Sequence, residues 1–178
     1  MAAQLLMALL LCYLNFIDKN NAMDKEIQLI QFQLREVYDG NPWYGRPLMS
    51  ILHQATTLEA WNKQVSSGHT NLVLLRHMIN WRLFTISRLE EEANKNTNYF
   101  DDNNWRIILN ATKENWLDAM NDLAVSQKRL LHLLIMASDG ILDNEVPGRS
   151  YDYRYLLYGI IQHDIYHIGQ IMISIKED

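Results

Sequence analysis

Apolar residues recur every three or four positions over four long stretches of the chain, and alternate with period two over none of useful length. In DKEIQLIQFQLREVYDG the stripe is Ile27, Ile30, Leu34 and Val37, and Gly40 closes it. NPWYGRP reads as a loop, with Pro47 suited to the first turn of a short helix in RPLMSILHQAT. After SSGHT a second long helix is expected from about Asn71 to Ala93, and the polar NKNTNYFDDNN that follows is a connector. A third long helix is expected from about Thr112 to Leu142, carrying Trp116, Met120, Leu123, Leu130, Leu134 and Ala137 on one face. DNEVPGRS breaks the pattern, and Ser150 can cap a last helix from about Tyr151 to Lys176. With no βαβ rhythm and no internal repeat, the pattern predicts an all-α domain. The expected architecture is an antiparallel four-helix bundle with a short extra helix between the first two long ones.

The first 22 residues stand apart from this domain, which is taken as 23–178. MAAQLLMALLLCYLNF is apolar for about fifteen residues, short of the ~20 that span a bilayer. No Lys or Arg precedes Lys19, and no small-residue cleavage site follows. An upstream start, with Met23 opening the domain of a cytoplasmic protein, is preferred. An atypical export signal and a genuine extra helix are the alternatives.

Charge narrows the partners. With 16 Lys and Arg against 21 Asp and Glu, the chain carries a net charge of −5 and shows no basic stripe. Nucleic-acid binding needs clustered cations to displace phosphate counterions, so it is not expected, and neither is an anionic membrane surface. The single cysteine, Cys12, allows no intrachain disulfide and no CxxC motif. Any thiol chemistry would therefore draw its thiol from a small-molecule co-substrate.

Candidate chemistry lies in QHDIYHIGQ. His163 and His167 are four apart, so a helix points both the same way from successive turns, as one ion would require. The spacing alone is weak, because a hydrogen-bonded core histidine beside a rim histidine would look the same. The apolar surroundings strengthen it, since two buried imidazoles need partners and one cation serves both. A third ligand must come from another helix, and His77, within the Leu74, His77, Trp81, Phe84 stripe, is the best placed. Taken by itself, His77 would read as a satisfied core residue. His53, His69 and His132 read as flanking, helix-entry and boundary residues. HDIYH differs from the HExxH of zinc proteases in placing Asp164 where Glu acts as base, which argues against a peptidase. Asp164 projects about 100° from its neighbours and is expected to make a salt bridge or a helix contact.

Three blocks in order, DGNPWYGRPLMSIL, GHTNLVLLRHMINW and GIIQHDIYHIGQI, resemble the DinB/YfiT-like superfamily, over roughly residues 24–175. The last block is the most specific. The resemblance implies a four-helix bundle, often homodimeric, whose metal is held by three histidines matching His77, His163 and His167. It implies a divalent transition metal, zinc or nickel first, with at least one coordination position open to water or substrate. Related proteins include transferases and isomerases that use low-molecular-weight thiols such as bacillithiol or mycothiol, and others described as metal-dependent hydrolases. The expected function is thus thiol S-transfer to a small-molecule substrate, with hydrolysis or a non-catalytic stress-related metal module as alternatives. Gln170 and Trp81 are expected around the ligands or the substrate, Tyr166 there or, by preference, in core packing, and Trp43 and Tyr44 either over the pocket mouth or plugged between helices. The apolar last helix points to homodimerisation.

Overall fold

All four long apolar stripes become helices. The computed structural model describes residues 25–65, 67–90, 97–108 and 111–176; the N-terminal extension lies outside them. Its elements are α1 (Lys25–Tyr38), α2 (Leu48–Leu52), α3 (Leu58–Asn62), α4 (Asn71–Leu89), α5 (Thr97–Asp102), α6 (Lys113–Met136), a 3-10 turn (Asp139–Asp143) and α7 (Tyr153–Lys176). The described residues contain no strand and no helix long and apolar enough to cross a membrane.

The long helices pack in a ring, α4 against α6 and α7, and α1 against the same two. Paired contacts fix their directions. Ser174 donates to Asn71 Oδ1 at one end of the α4–α7 pair (2.8 Å), and Tyr153 to the Arg88 carbonyl at the other (2.7 Å), so these helices are antiparallel. Gln31 donates to the Leu134 carbonyl and Gln127 to that of Leu34, so α1 and α6 are antiparallel too. Between α4 and α6, however, Arg76 meets Asp122, Arg82 meets Gln127 and Glu90 meets Arg129, and the numbers rise together. This pair runs parallel, where connector lengths had suggested antiparallel neighbours throughout.

The connector after α4 explains the difference. It runs back along α4 before α6 begins. Asn80 donates to the Phe100 carbonyl (2.9 Å), Trp81 Nε1 to Asn104 Oδ1 (2.9 Å), and the Ala111 N–H reaches Asn62 Oδ1 (3.2 Å), ahead of the start of α4. Within it lies α5, hidden in the sequence by polar composition.

Helix ends differ from the expected ones for identifiable reasons. The third long helix stops at Met136, six residues early, because Ala137 turns extended (ψ 156°) and leads into the 3-10 turn. There the Asp139 carboxylate accepts from the backbone N–H groups of Glu26 (3.1 Å) and Ile27 (2.8 Å), capping α1 from a distant part of the chain. α7 starts at Tyr153, capped by Asp152, whose Oδ1 accepts from the Tyr155 N–H (2.8 Å), and not by Ser150. α4 stops at Leu89. Two short helices, not one, separate the first two long ones, the second capped by the Thr57 side chain. On α7, Tyr155, Tyr166 and Ile173 stay exposed.

The centre of the bundle is charged. Arg82 and Asp164 are wholly buried, with Nη2 2.5 Å from Oδ2. Nη1 of Arg82 donates to Gln127 Oε1 (2.5 Å), and Gln127 passes the link to α1. One guanidinium therefore joins α4 to α7 and α6 directly, and to α1 at one remove.

Asp164→Asn should lower stability by about 3–5 kcal/mol in urea unfolding, because it leaves a buried guanidinium without its anion. The double change Arg82→Met, Asp164→Leu should cost clearly less than Asp164→Asn alone. Equal losses would mean that packing, not charge pairing, dominates here.

Candidate metal centre

The direction of α7 against α4 sets where the histidines meet. His163 and His167 project from successive turns of α7, and α4 brings His77 opposite them. His77 Nε2 lies 2.8 Å from His163 Nε2, and His167 Nε2 lies 3.1 Å from the same atom. His77 and His167 are buried and His163 is half-buried. Among the described residues, these three form a group whose ligand atoms all lie within 4.8 Å of one another.

The other ring nitrogens decide what converges. His77 Nδ1 faces the Asn104 carbonyl oxygen at 2.9 Å, and a carbonyl only accepts, so Nδ1 carries the proton and Nε2 keeps its lone pair. His167 Nδ1 likewise donates to Gln170 Oε1 (2.7 Å), while Gln170 Nε2 donates to the Tyr166 hydroxyl (3.3 Å). His163 Nδ1 is buried and has no hydrogen-bond partner. Two bare lone pairs thus aim at one His163 nitrogen, which can supply a single proton between them. A divalent cation would satisfy all three nitrogens at once. Tetrahedral imidazole sites place such nitrogens roughly 3.3 Å apart, within a few tenths of an ångström of the spacings here. The donor set therefore fits a divalent transition metal, and nothing in it separates zinc from nickel.

Electrostatics keep the cluster neutral. Burial pushes His77 down to about 4 and His163 down to about 3. The hydrogen bond that His77 donates to the Asn104 carbonyl opposes the shift there, and the neighbouring His167, His77 and Arg82 add to it at His163. His167 is also lowered, first by burial. Neutral imidazoles are the ligand form, so the fold holds these side chains ready for a cation at neutral pH.

The geometry and the sequence order now meet. A model of the DinB superfamily matches residues 45–171, a span that holds all three histidines and leaves α1 outside. The chain belongs to the DinB superfamily. No curated protein and no solved structure matches it.

Around this DinB cluster, the structure places the other candidates unevenly. Gln170 touches His167 directly, and Tyr166 sits at the exposed rim with its ring 5.0 Å from that imidazole. Trp81 lies 6.5 Å from the His163 ring and lines a cavity of about 320 Å³ beside it. His53 and His132 are exposed on the surface. Trp43 is fully exposed, so it neither covers the pocket mouth nor plugs the helices, because the NPWYG loop holds it out in solvent. Tyr44 is exposed as well. Asp164 makes the ion pair expected of it.

Two contributors were missed. Asn104 holds His77 with its backbone carbonyl and Trp81 with its side chain. Trp105 lies flat on His77, with centroids 3.8 Å apart and planes 6° apart, and His69 stacks on Trp105 at 4.0 Å and 2°. His69 is thereby kept out of the ligand group by the intervening indole. A tryptophan in the connector was the one available signal, and helical periodicity says nothing about such a segment.

Protonation gives a test. Above the ordinary imidazole value of about 6.5 the three rings are neutral in folded and unfolded chains alike. As pH falls, the unfolded chain takes up protons that the folded cluster refuses, so stability is lost. The loss continues until His77 and His163 themselves titrate, near 4 and 3. In chelator-treated protein the urea midpoint should therefore fall between about pH 6.5 and 4. His163→Ala should flatten that fall, and an unchanged slope would show that other groups cause it.

Proposed function

We propose that this DinB-superfamily protein is a metal-dependent enzyme that transfers a low-molecular-weight thiol onto a small electrophile. The observation that carries the reading is the convergence of three Nε2 atoms, one of them on His163, which also lines the neighbouring open cavity. His77, His163 and His167 would hold a divalent transition metal, whose Lewis acidity lowers the pKa of a bound thiol. The remaining chemistry is a sulfur–carbon bond formed as the thiol proton passes to water and the leaving group departs with its electron pair.

The chain's own side chains orient and enclose. Asn104 and Trp105 fix the His77 ring from behind, and Gln170 fixes His167, so the three nitrogens need little reorganisation. Trp81 walls the space next to His163. A hydrolase built on the same ligands would need a nearby general acid or base. The carboxylate closest in sequence, Asp164, is wholly buried and engaged by Arg82, so it is not free for that role. This favours thiol transfer, in which the nucleophile arrives with the co-substrate. A purely structural ion is disfavoured by the cavity opening beside His163.

Elemental analysis of purified protein should find about one transition metal per chain, lost in His77→Ala, His163→Ala and His167→Ala variants that remain folded. Gln170→Ala should keep the site but weaken metal affinity roughly 10–100-fold. Metal-loaded wild type should then consume thiol in the presence of an electrophile, followed by loss of free thiol. Turnover that is equal in wild type and ligand variants would remove the thiol-transfer reading, and absence of metal after loading would remove the site itself.

A further inference from the structure

The cavity beside His163 has a composition that selects its occupant. Thr85 and Trp81 of α4 face Gly159, Ile160 and Leu156 of α7, and Tyr151 and Tyr155 close the side. Among the described residues, no Lys, Arg, Asp or Glu lines it. Its titratable lining groups are His163, Tyr151 and Tyr155, set among apolar walls. Arg149 is the cation over the Trp81 ring (5.9 Å to the centroid), and it is already engaged by Asp101 at 2.7 Å. A charged ligand entering here would shed water against walls that offer a few hydroxyls but no opposite charge, which costs several kcal/mol for an ion. An uncharged ring system would instead find aromatic faces and aliphatic walls on both sides.

Size sets a second limit. An apolar cavity of about 150 Å³ accommodates a benzene ring. The space here is about 320 Å³, which suits two fused rings or a comparable branched group. Gly159 is what keeps it open. A Cβ built on this helical glycine meets no atom within 4 Å, so no close helix approach demands glycine there. Glycine is a poor helix former in a helix interior, and at this position its effect is to leave room.

We propose that the cavity between α4 and α7 is the subsite for the electrophile, and that it takes an uncharged aromatic or similarly apolar molecule of about two rings, with Gly159 determining the size accepted. This rests on the thiol-transfer reading for the word electrophile, but not for the binding itself.

Isothermal calorimetry with 2-naphthol and its charged carboxylate analogue 2-naphthoate tests it, on chelated and metal-loaded wild type and on Gly159→Leu. Gly159→Leu fills the space from a position with no steric conflict, so circular dichroism and metal content should match wild type. The expected result is binding of 2-naphthol to both forms of wild type, at least tenfold weaker binding of 2-naphthoate to the chelated form, and at least tenfold weaker 2-naphthol binding to Gly159→Leu. Absence of 2-naphthol binding to wild type, equal binding of the two probes by chelated protein, or unimpaired binding by folded Gly159→Leu would each overturn the proposal. Should Gly159→Leu not fold, Gly159→Val replaces it with the same expectation. Naphthol binding to a protein that holds no metal would leave the subsite standing and remove only the thiol-transfer chemistry. Metal present without naphthol binding would do the reverse.

Discussion

The ion pair between Arg82 and Asp164 is the constraint around which this bundle is arranged. Both groups are wholly buried, so neither can leave the other without exposing a charge to a medium that cannot solvate it. Each is a neighbour in the chain of the metal-site residues. Asp164 follows His163 directly, and Arg82 lies five residues beyond His77. The pair therefore pins the sliding of α4 against α7 at the level where the histidines must meet. A hydrophobic contact between the same helices would hold them together with far less preference for one register.

That division of labour extends through the core. Gln127 carries the polar link from Arg82 to the α1 backbone, while aliphatic residues on all four helices fill the volume around it. The histidine cluster sits on the neighbouring side of α7, roughly a quarter-turn round from Asp164, toward the connector and the open cavity. One face of α7 is thus committed to specificity of packing, and the adjacent face is left for chemistry. Because the ion pair has already fixed the helices, the imidazoles can be held in a neutral, proton-poor arrangement that adds little to stability by itself.

The parallel α4–α6 pair has a consequence for the site. For two consecutive long helices to run in the same direction, the chain must return along the first. That return brings Asn104 and Trp105 past His77, where they set its tautomer and cover one of its faces. The same chain crossing leaves the α7 side of Trp81 uncovered, and the apolar cavity lies there. The topology thus shields the cluster on one side and opens it on the other.

Sequence by itself determined the all-α class, the four long helices, and the pairing of His163 with His167, because helical periodicity is a local property of consecutive residues. It also pointed to His77, through an imidazole in an apolar stripe and through the order of blocks shared with the DinB superfamily. Buried Arg82 was not legible, since a charge on a helix says nothing of its partner 82 positions away. Nor were Asn104 and Trp105, which act from an irregular connector where no period exists to read. Helix ends at Met136 and Tyr153 depended on caps and turns, and one of those, Asp139 on α1, joins residues more than a hundred positions apart. The parallel run of α4 and α6, the exposure of Trp43 and the space beside Gly159 were decided only by tertiary structure. Each depends on which distant surfaces are brought together, and periodicity along the chain carries no record of that.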